Sequence, residues 1–145
     1  MRALQIATVF LLFFATVTCG YFQAGSWEDD PKNWPRAFGE EKPTEVQVAR
    51  SLYTRFPHFT HEHVFYFEFK ASRDFLEAFI EKLELKRAPI LTTQPEFLDR
   101  GPDAPEWFLP EPTMFEPWRG TGALENMQLF VKWDSGIAYV THFQL

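Results

Sequence analysis

The run Glu62-His63-Val64-Phe65-Tyr66-Phe67-Glu68-Phe69-Lys70 constrains the fold more than any other part of the sequence. Successive side chains of a strand point to opposite faces. Phe65, Phe67 and Phe69 therefore share one face, with Tyr66, Glu68 and Lys70 on the other. Aromatic and β-branched residues suit such a pleated surface. Three phenylalanines on one side need a cover, and the next segment supplies it. Ser72 is placed to cap a helix, and Asp74 falls in its first turn, where the helix dipole favours a carboxylate. Phe75, Leu76, Phe79, Ile80 and Leu83 then recur at helical spacing. Lys82, Lys86 and Arg87 stand near the expected C-terminal end, and Pro89 stops the helix. The spacing predicts a helix over about 73–86, lying on the Phe65/Phe67/Phe69 face.

Other strands follow from the same alternation. In about 45–56, Val46, Val48 and Leu52 fall on one side and Glu45, Gln47 and Ser51 on the other. This strand forms a hairpin with 62–70 through Pro57-His58-Phe59-Thr60. Two further strands, about 126–134 and 137–145, meet at Asp134-Ser135-Gly136. A three-residue loop with a left-handed Gly136 pairs Trp133 with Ile137, Val131 with Tyr139, Leu129 with Thr141 and Met127 with Phe143. That register gathers one nearly apolar face and leaves Gln128, Lys132, His142 and Gln144 on the other. The expected fold class is α+β: an antiparallel sheet of about four strands in two hairpins, one helix packed on one face, and a long Pro-rich loop. A chain of 145 residues, 46% of them hydrophobic, is enough for one such domain with a real core.

The N-terminus reads as an address. Arg2 is the only charge before Glu28, and Ala3 to Val17 is a largely apolar run. A basic residue, an apolar stretch of this length and then small or polar residues make a secretory signal. The only cysteine, Cys19, stands where the run ends. The segment Thr16-Val17-Thr18-Cys19-Gly20 resembles a bacterial lipobox, in which the Cys becomes the lipidated first residue. It departs from the usual pattern at Thr16, where Leu is common, and at Thr18, where Gly, Ala or Ser is common. An uncleaved anchor and a plain signal cut near Gly20 or Ala24 are the alternatives. The expected division is 1–19 as signal, lipobox or anchor, 20–44 as a tether, and 45–145 as the domain. Pro31, Pro35 and Pro43 break regular structure in the tether, but Trp27, Trp34 and Phe38 should pack back on the domain.

Composition removes several function classes. A net charge of −6 offers no basic field for nucleic acid. One cysteine excludes an internal disulfide framework and a Cys-rich zinc site. His58, His61 and His63 have a spacing that some metal sites use. The expected register sends His142 to the face opposite His63, so no third or fourth ligand is evident, and no metal or cofactor is expected. There is no G-x-S-x-G elbow, and Gly120-Thr121-Gly122 lacks the length and lysine of a phosphate loop.

The segment 94–118 remains. It carries six of the eleven prolines, and six carboxylates against Arg100 alone. It also holds Trp107, Phe108 and Trp118. Long loops in compact domains are usually functional or disordered, and aromatics of this density argue against disorder. Two readings compete: a lid over the second sheet face, or a partner-binding surface built on Trp107, Phe108 and Trp118. A hydrolytic carboxylate pair in this loop is a third, rival reading.

The chain resembles small, uncharacterised bacterial envelope proteins that have a signal or lipobox followed by one α+β domain. The residues that carry the resemblance are Phe67-Glu68-Phe69-Lys70-Ala71-Ser72 running into Phe75-Leu76 and Phe79-Ile80, then Trp107-Phe108-Leu109-Pro110, then Asp134 to Tyr139. It covers roughly 45–145 and implies compartment and fold, with no activity or functional residue to transfer. The expectation is an exported, membrane-attached, non-enzymatic envelope protein, lipidated at Cys19, that binds a protein or glycan partner and no nucleic acid. A small hydrolase and a purely structural spacer are the alternatives.

Overall fold

The computed structural model describes residues 24–57, 62–89 and 104–144. Among these, seven strands form one antiparallel sheet: β1 (Gly25–Glu28), β2 (Gln47–Arg55), β3 (His63–Lys70), β4 (Lys86–Arg87), β5 (Glu116–Arg119), β6 (Gln128–Lys132) and β7 (Ile137–Gln144). Two α-helices accompany them, α1 (Asn33–Phe38) and α2 (Arg73–Lys82). The spatial order is β1-β2-β3-β7-β6-β5-β4. Two meanders therefore abut at β3 and β7, and α2 carries the chain from the centre of the sheet to its far edge. The class is α+β with an antiparallel sheet, as expected, but with seven strands and two helices rather than four and one.

The aromatic strand behaves as read. Phe65, Phe67 and Phe69 are all buried on one face, under α1 and α2. Ser72 caps α2: its backbone is extended and its Oγ accepts from the Phe75 N–H at 3.2 Å. Leu76, Phe79 and Ile80 are the buried stripe. The helix stops at Lys82, four residues early. Glu84 takes a left-handed φ of 51°, and the Leu85 N–H donates to the Ile80 carbonyl. That reversal buries Leu85 and releases Lys86–Arg87 to form the edge strand β4.

Residues 25–38 of the expected tether belong to the domain. β1 pairs with β2, and Trp34 from α1 is 1% exposed. Its ring lies 4.5 Å from Phe38, 5.6 Å from both Phe67 and Phe69, and 6.2 Å from Phe79. Pro35 sits early in a short helix, where a missing N–H costs little.

Two registers differ from the sequence reading, for related reasons. In β2 a bulge at Ala49 lies between the pairs Val48–Phe69 and Arg50–Glu68. Val46 and Val48 face the helices, whereas Leu52, beyond the bulge, packs on the opposite face. In the last hairpin Lys132 pairs with Ile137 and Leu129 with Val140, so the loop has four residues, 133–136, rather than three. Trp133 packs on the helical face and Phe143 on the other, which overturns the expected shared face. The expected register gathered every apolar side chain on one side. Both faces of this sheet are buried: Leu129, Val131, Ala138 and Val140 join the helical core, and Phe130, Tyr139 and Phe143 join a second cluster.

Gly136 is left-handed as expected, with φ 69°. It is also pressed against the start of α2. The Ala71 N–H donates to the Gly136 carbonyl at 3.0 Å, and a Cβ at position 136 would come within 2.3 Å of the Ala71 oxygen. Gly136→Ala should therefore cost more than the ~1 kcal/mol of a simple glycine effect, read as a lowered urea midpoint at unchanged slope.

Candidate functional site

The three aromatics singled out in the 94–118 segment do not converge. Phe108 is fully buried on the sheet face away from the helices. Its ring meets Tyr66 at 5.1 Å, Tyr139 at 5.6 Å, Trp107 at 6.1 Å and Phe130 at 6.4 Å. Trp107 is half-buried at the rim of this cluster. Trp118 lies in β5 between Arg87 and Leu129 and packs on the helical face. Trp107 and Phe108 are thus separated from Trp118 by the sheet itself. For Phe108 the lid reading is the one the geometry supports.

What the segment turns outward is different. Leu109 and Met114 are the exposed large hydrophobics among the described residues, at 52% and 48% exposure. Both flank Phe108 and Phe115, whose rings are turned toward the sheet; Phe115 meets Tyr139 at 5.3 Å. Glu106 and Glu111 stand exposed beside them. Glu116 pairs with Arg87 at 2.8 Å. Of the carboxylates offered for a hydrolytic pair, Glu96, Asp99 and Asp103 lie outside the described residues, and so does Cys19.

A cleft of about 450 Å3 opens elsewhere, between the β1–α1 turn and the bulged start of β2. Asp29, Trp34, Lys42, Ala49 and Ser51 are among its walls. The turn is built by polar bonds. Asp29, held at φ 49°, accepts from the Ser51 N–H at 2.7 Å through Oδ1 and donates its own N–H to the Ser51 carbonyl. Asn33, with no exposed surface, donates from Nδ2 to the Trp27 carbonyl and to Ser51 Oγ. Arg36 bridges Asp30 Oδ2 and Asn33 Oδ1, each at 2.9 Å. The Lys32 N–H and the Arg36 side chain both hold the Asp30 carboxyl below the usual range. Lys42 is fixed on the Val46 carbonyl at 2.6 Å. The sequence reading assigned Asp29, Asp30, Asn33, Trp34, Arg36 and Lys42 to a tether. The signal that marks them is the pair Trp27 and Trp34, since a free linker rarely carries two tryptophans.

The histidines also move. His142 stands opposite Phe65, on the helical face, and its ring lies 5.6 Å from that of His63. The expected opposite placement is wrong because the hairpin register is one residue different. His58 and His61 lie outside the described residues. No group of three or more metal-ligating side chains occurs among the described residues. His142 is 7% exposed, and burial, with the nearby His63, lowers its pKa to about 4.

No protein-family model, curated protein or solved structure matches the chain. The site therefore rests on its own geometry.

Two expectations follow. Phe108→Ala should destabilise the domain by ~3–5 kcal/mol, as for other buried aromatics. Leu109→Ala, next to it in sequence, should change stability by no more than ~0.5 kcal/mol in the same urea titration. The second concerns acid. A base with a lowered folded pKa binds its proton more readily in the unfolded chain, so its stabilisation is complete above the unfolded value of 6.5 and falls as pH drops toward about 4. Urea midpoints measured across that window should decline, and His142→Gln should flatten the decline.

Proposed function

We propose that the chain is an exported, membrane-tethered, non-enzymatic binding module of the cell envelope, and that it takes its partner on the segment 104–116. The observation that carries this reading is the division of labour along that segment. Phe108 is fixed in the core, while Leu109 and Met114 project into water. Contiguous exposed apolar surface marks contact sites, and these two side chains stand five residues apart on one segment. Pro105, Pro110 and Pro112 restrict the unfolded segment, which lowers the entropy lost when it is held for recognition. Glu106 and Glu111 favour a partner with basic groups around an apolar contact. The tether rests on the sequence: the apolar run, the lone Cys19 at its end, and a domain that begins at β1 a few residues later. No helix among the described residues is long and apolar enough to cross a membrane.

A photo-crosslinking side chain placed at 109 or at 114, in cells producing the chain, should give the same discrete adduct. Placed at the exposed Glu81 of α2, it should give none. Equal labelling at all three positions, or none at any, would count against the contact surface. In parallel, Cys19→Ser should release the domain from the membrane fraction or block its processing. An unchanged mature mass and an unchanged membrane fraction would favour an uncleaved anchor over lipidation.

A further inference from the structure

β1 covers only half of the strand beside it. It pairs with Leu52–Arg55 of β2, and Asp29 then bonds the N–H and the carbonyl of Ser51. There the chain leaves the sheet. Pro31 has no N–H to give a ladder, and the Asn33 N–H turns back to the Asp30 carbonyl. Gln47, Val48 and Arg50 are paired with β3 on one side, and Ala49 is the bulge between them. On their other side no strand stands among the described residues. Gln47, Ala49 and Arg50 are exposed. The cleft of about 450 Å3 runs along this bare edge, with Gln47, Val48, Ala49 and Ser51 among its walls. Four residues of strand span about 13 Å.

An open edge is a template for one more strand. The bulge at Ala49 bends β2 and interrupts its ladder, which favours a short segment over a long one. Charges at the two ends of the cleft set the direction of that segment. Lys42 lines the end beside Val46. Its ammonium donates to the Val46 carbonyl at 2.6 Å and to the Pro43 carbonyl at 3.2 Å. Both acceptors are neutral, a third N–H remains, and no carboxylate pairs with Lys42 among the described residues. Asp29 and Asp30 line the cleft at its Ser51 end. A carboxylate is therefore attracted at the first end and repelled at the second. Trp34 also lines the cleft, and its buried indole N–H has no acceptor. A donor left in that state costs free energy, and an added strand brings carbonyls into the same cleft.

We propose that this cleft binds the C-terminal tail of a partner protein, about four residues long and extended, added to β2 where β1 leaves off, with its terminal carboxylate on Lys42. A carboxylate at Lys42 makes the tail run antiparallel to β2, in the direction of β1. Main-chain bonds to the edge supply affinity, and alternate side chains of the tail meet the apolar wall of Trp34, Val46 and Val48. A chain that ends at Lys42 needs only one way out of the cleft, at the Asp29 end. The site stands apart from the 104–116 surface, which lies on the opposite face of the sheet, and does not depend on it.

The test uses the full chain in a neutral detergent and a pool of acetylated hexapeptides, degenerate over Val, Thr, Ser, Lys and Tyr. The pool is made once with free C-terminal carboxylates and once as amides. Amide hydrogen exchange at 47–50 is the readout, with the Trp34 indole N–H resonance as a second. At saturation the free-acid pool should slow the outward amides of 47–50 at least about tenfold and shift the indole resonance. The amide pool should need at least about threefold more peptide for the same effect. Lys42→Gln keeps an N–H donor but no charge, and in that variant the two pools should become equivalent. Equal slowing by both pools in the unsubstituted chain, or a preference for the free acid that survives Lys42→Gln, overturns the carboxylate contact. Slowing that appears without peptide as the protein is concentrated makes the edge a contact between copies and overturns the tail. No slowing at 47–50 with either pool overturns the site.

Discussion

The indole of Trp34 is the contact on which the rest of the helical face depends. It comes from a six-residue helix, far shorter than the roughly 12–15 residues that stand alone in water. Packing therefore holds α1 in place, and Trp34 supplies it by touching Phe67 and Phe69 of β3, Phe79 of α2 and Phe38 of its own helix. Edge-to-face contacts of this kind add to the area buried. Docking α1 in turn fixes the turn before it, where Asn33 ties the Trp27 carbonyl to Ser51. That turn sets β1 on the edge of the sheet. The edge strand and the cleft beside it both follow from one buried ring.

A fold that buries both faces of its sheet separates surface from core residue by residue. Along 104–116 the chain runs over the face opposite the helices and sends Phe108 inward. The neighbouring Leu109 is then turned out. This is how a Pro-rich segment with little regular structure is held in place without a helix or strand of its own. The same segment closes the second core and offers the exposed apolar pair. A change at Phe108 acts on stability, and a change at Leu109 acts on the surface.

The legible parts of the sequence were those where one local rule sufficed. The Phe65/Phe67/Phe69 stripe, the Ser72 cap, the α2 face and the left-handed Gly136 each depend on residues close in sequence. The β2 bulge and the last register did not yield, because period-two reasoning needs one polar face to point outward. Here Val64 and Tyr66 are as buried as Phe65 and Phe67. Alternation then separates two apolar faces rather than inside from outside. β1 and α1 were hidden by prolines and charges that read as linker, although Trp27 and Trp34 were the sign that the segment folds back. Of the candidate aromatics, sequence could identify which were large and apolar. Which side of the sheet each would occupy depended on β5, an element of four residues.

The central pairing has a consequence for how the chain reaches this state. β3 is completed on one side by β2, close in sequence, and on the other by β7, so that Phe67 waits for Val140. At synthesis speeds of ~5–20 residues per second, β3 emerges several seconds before its second neighbour exists. During that interval its free edge and its phenylalanines are exposed to any other chain, the condition under which strands pair wrongly. The closing pairing also links residues distant in sequence, which makes folding slow. A sheet whose last strand joins at its centre therefore stays open until nearly the whole chain has been made.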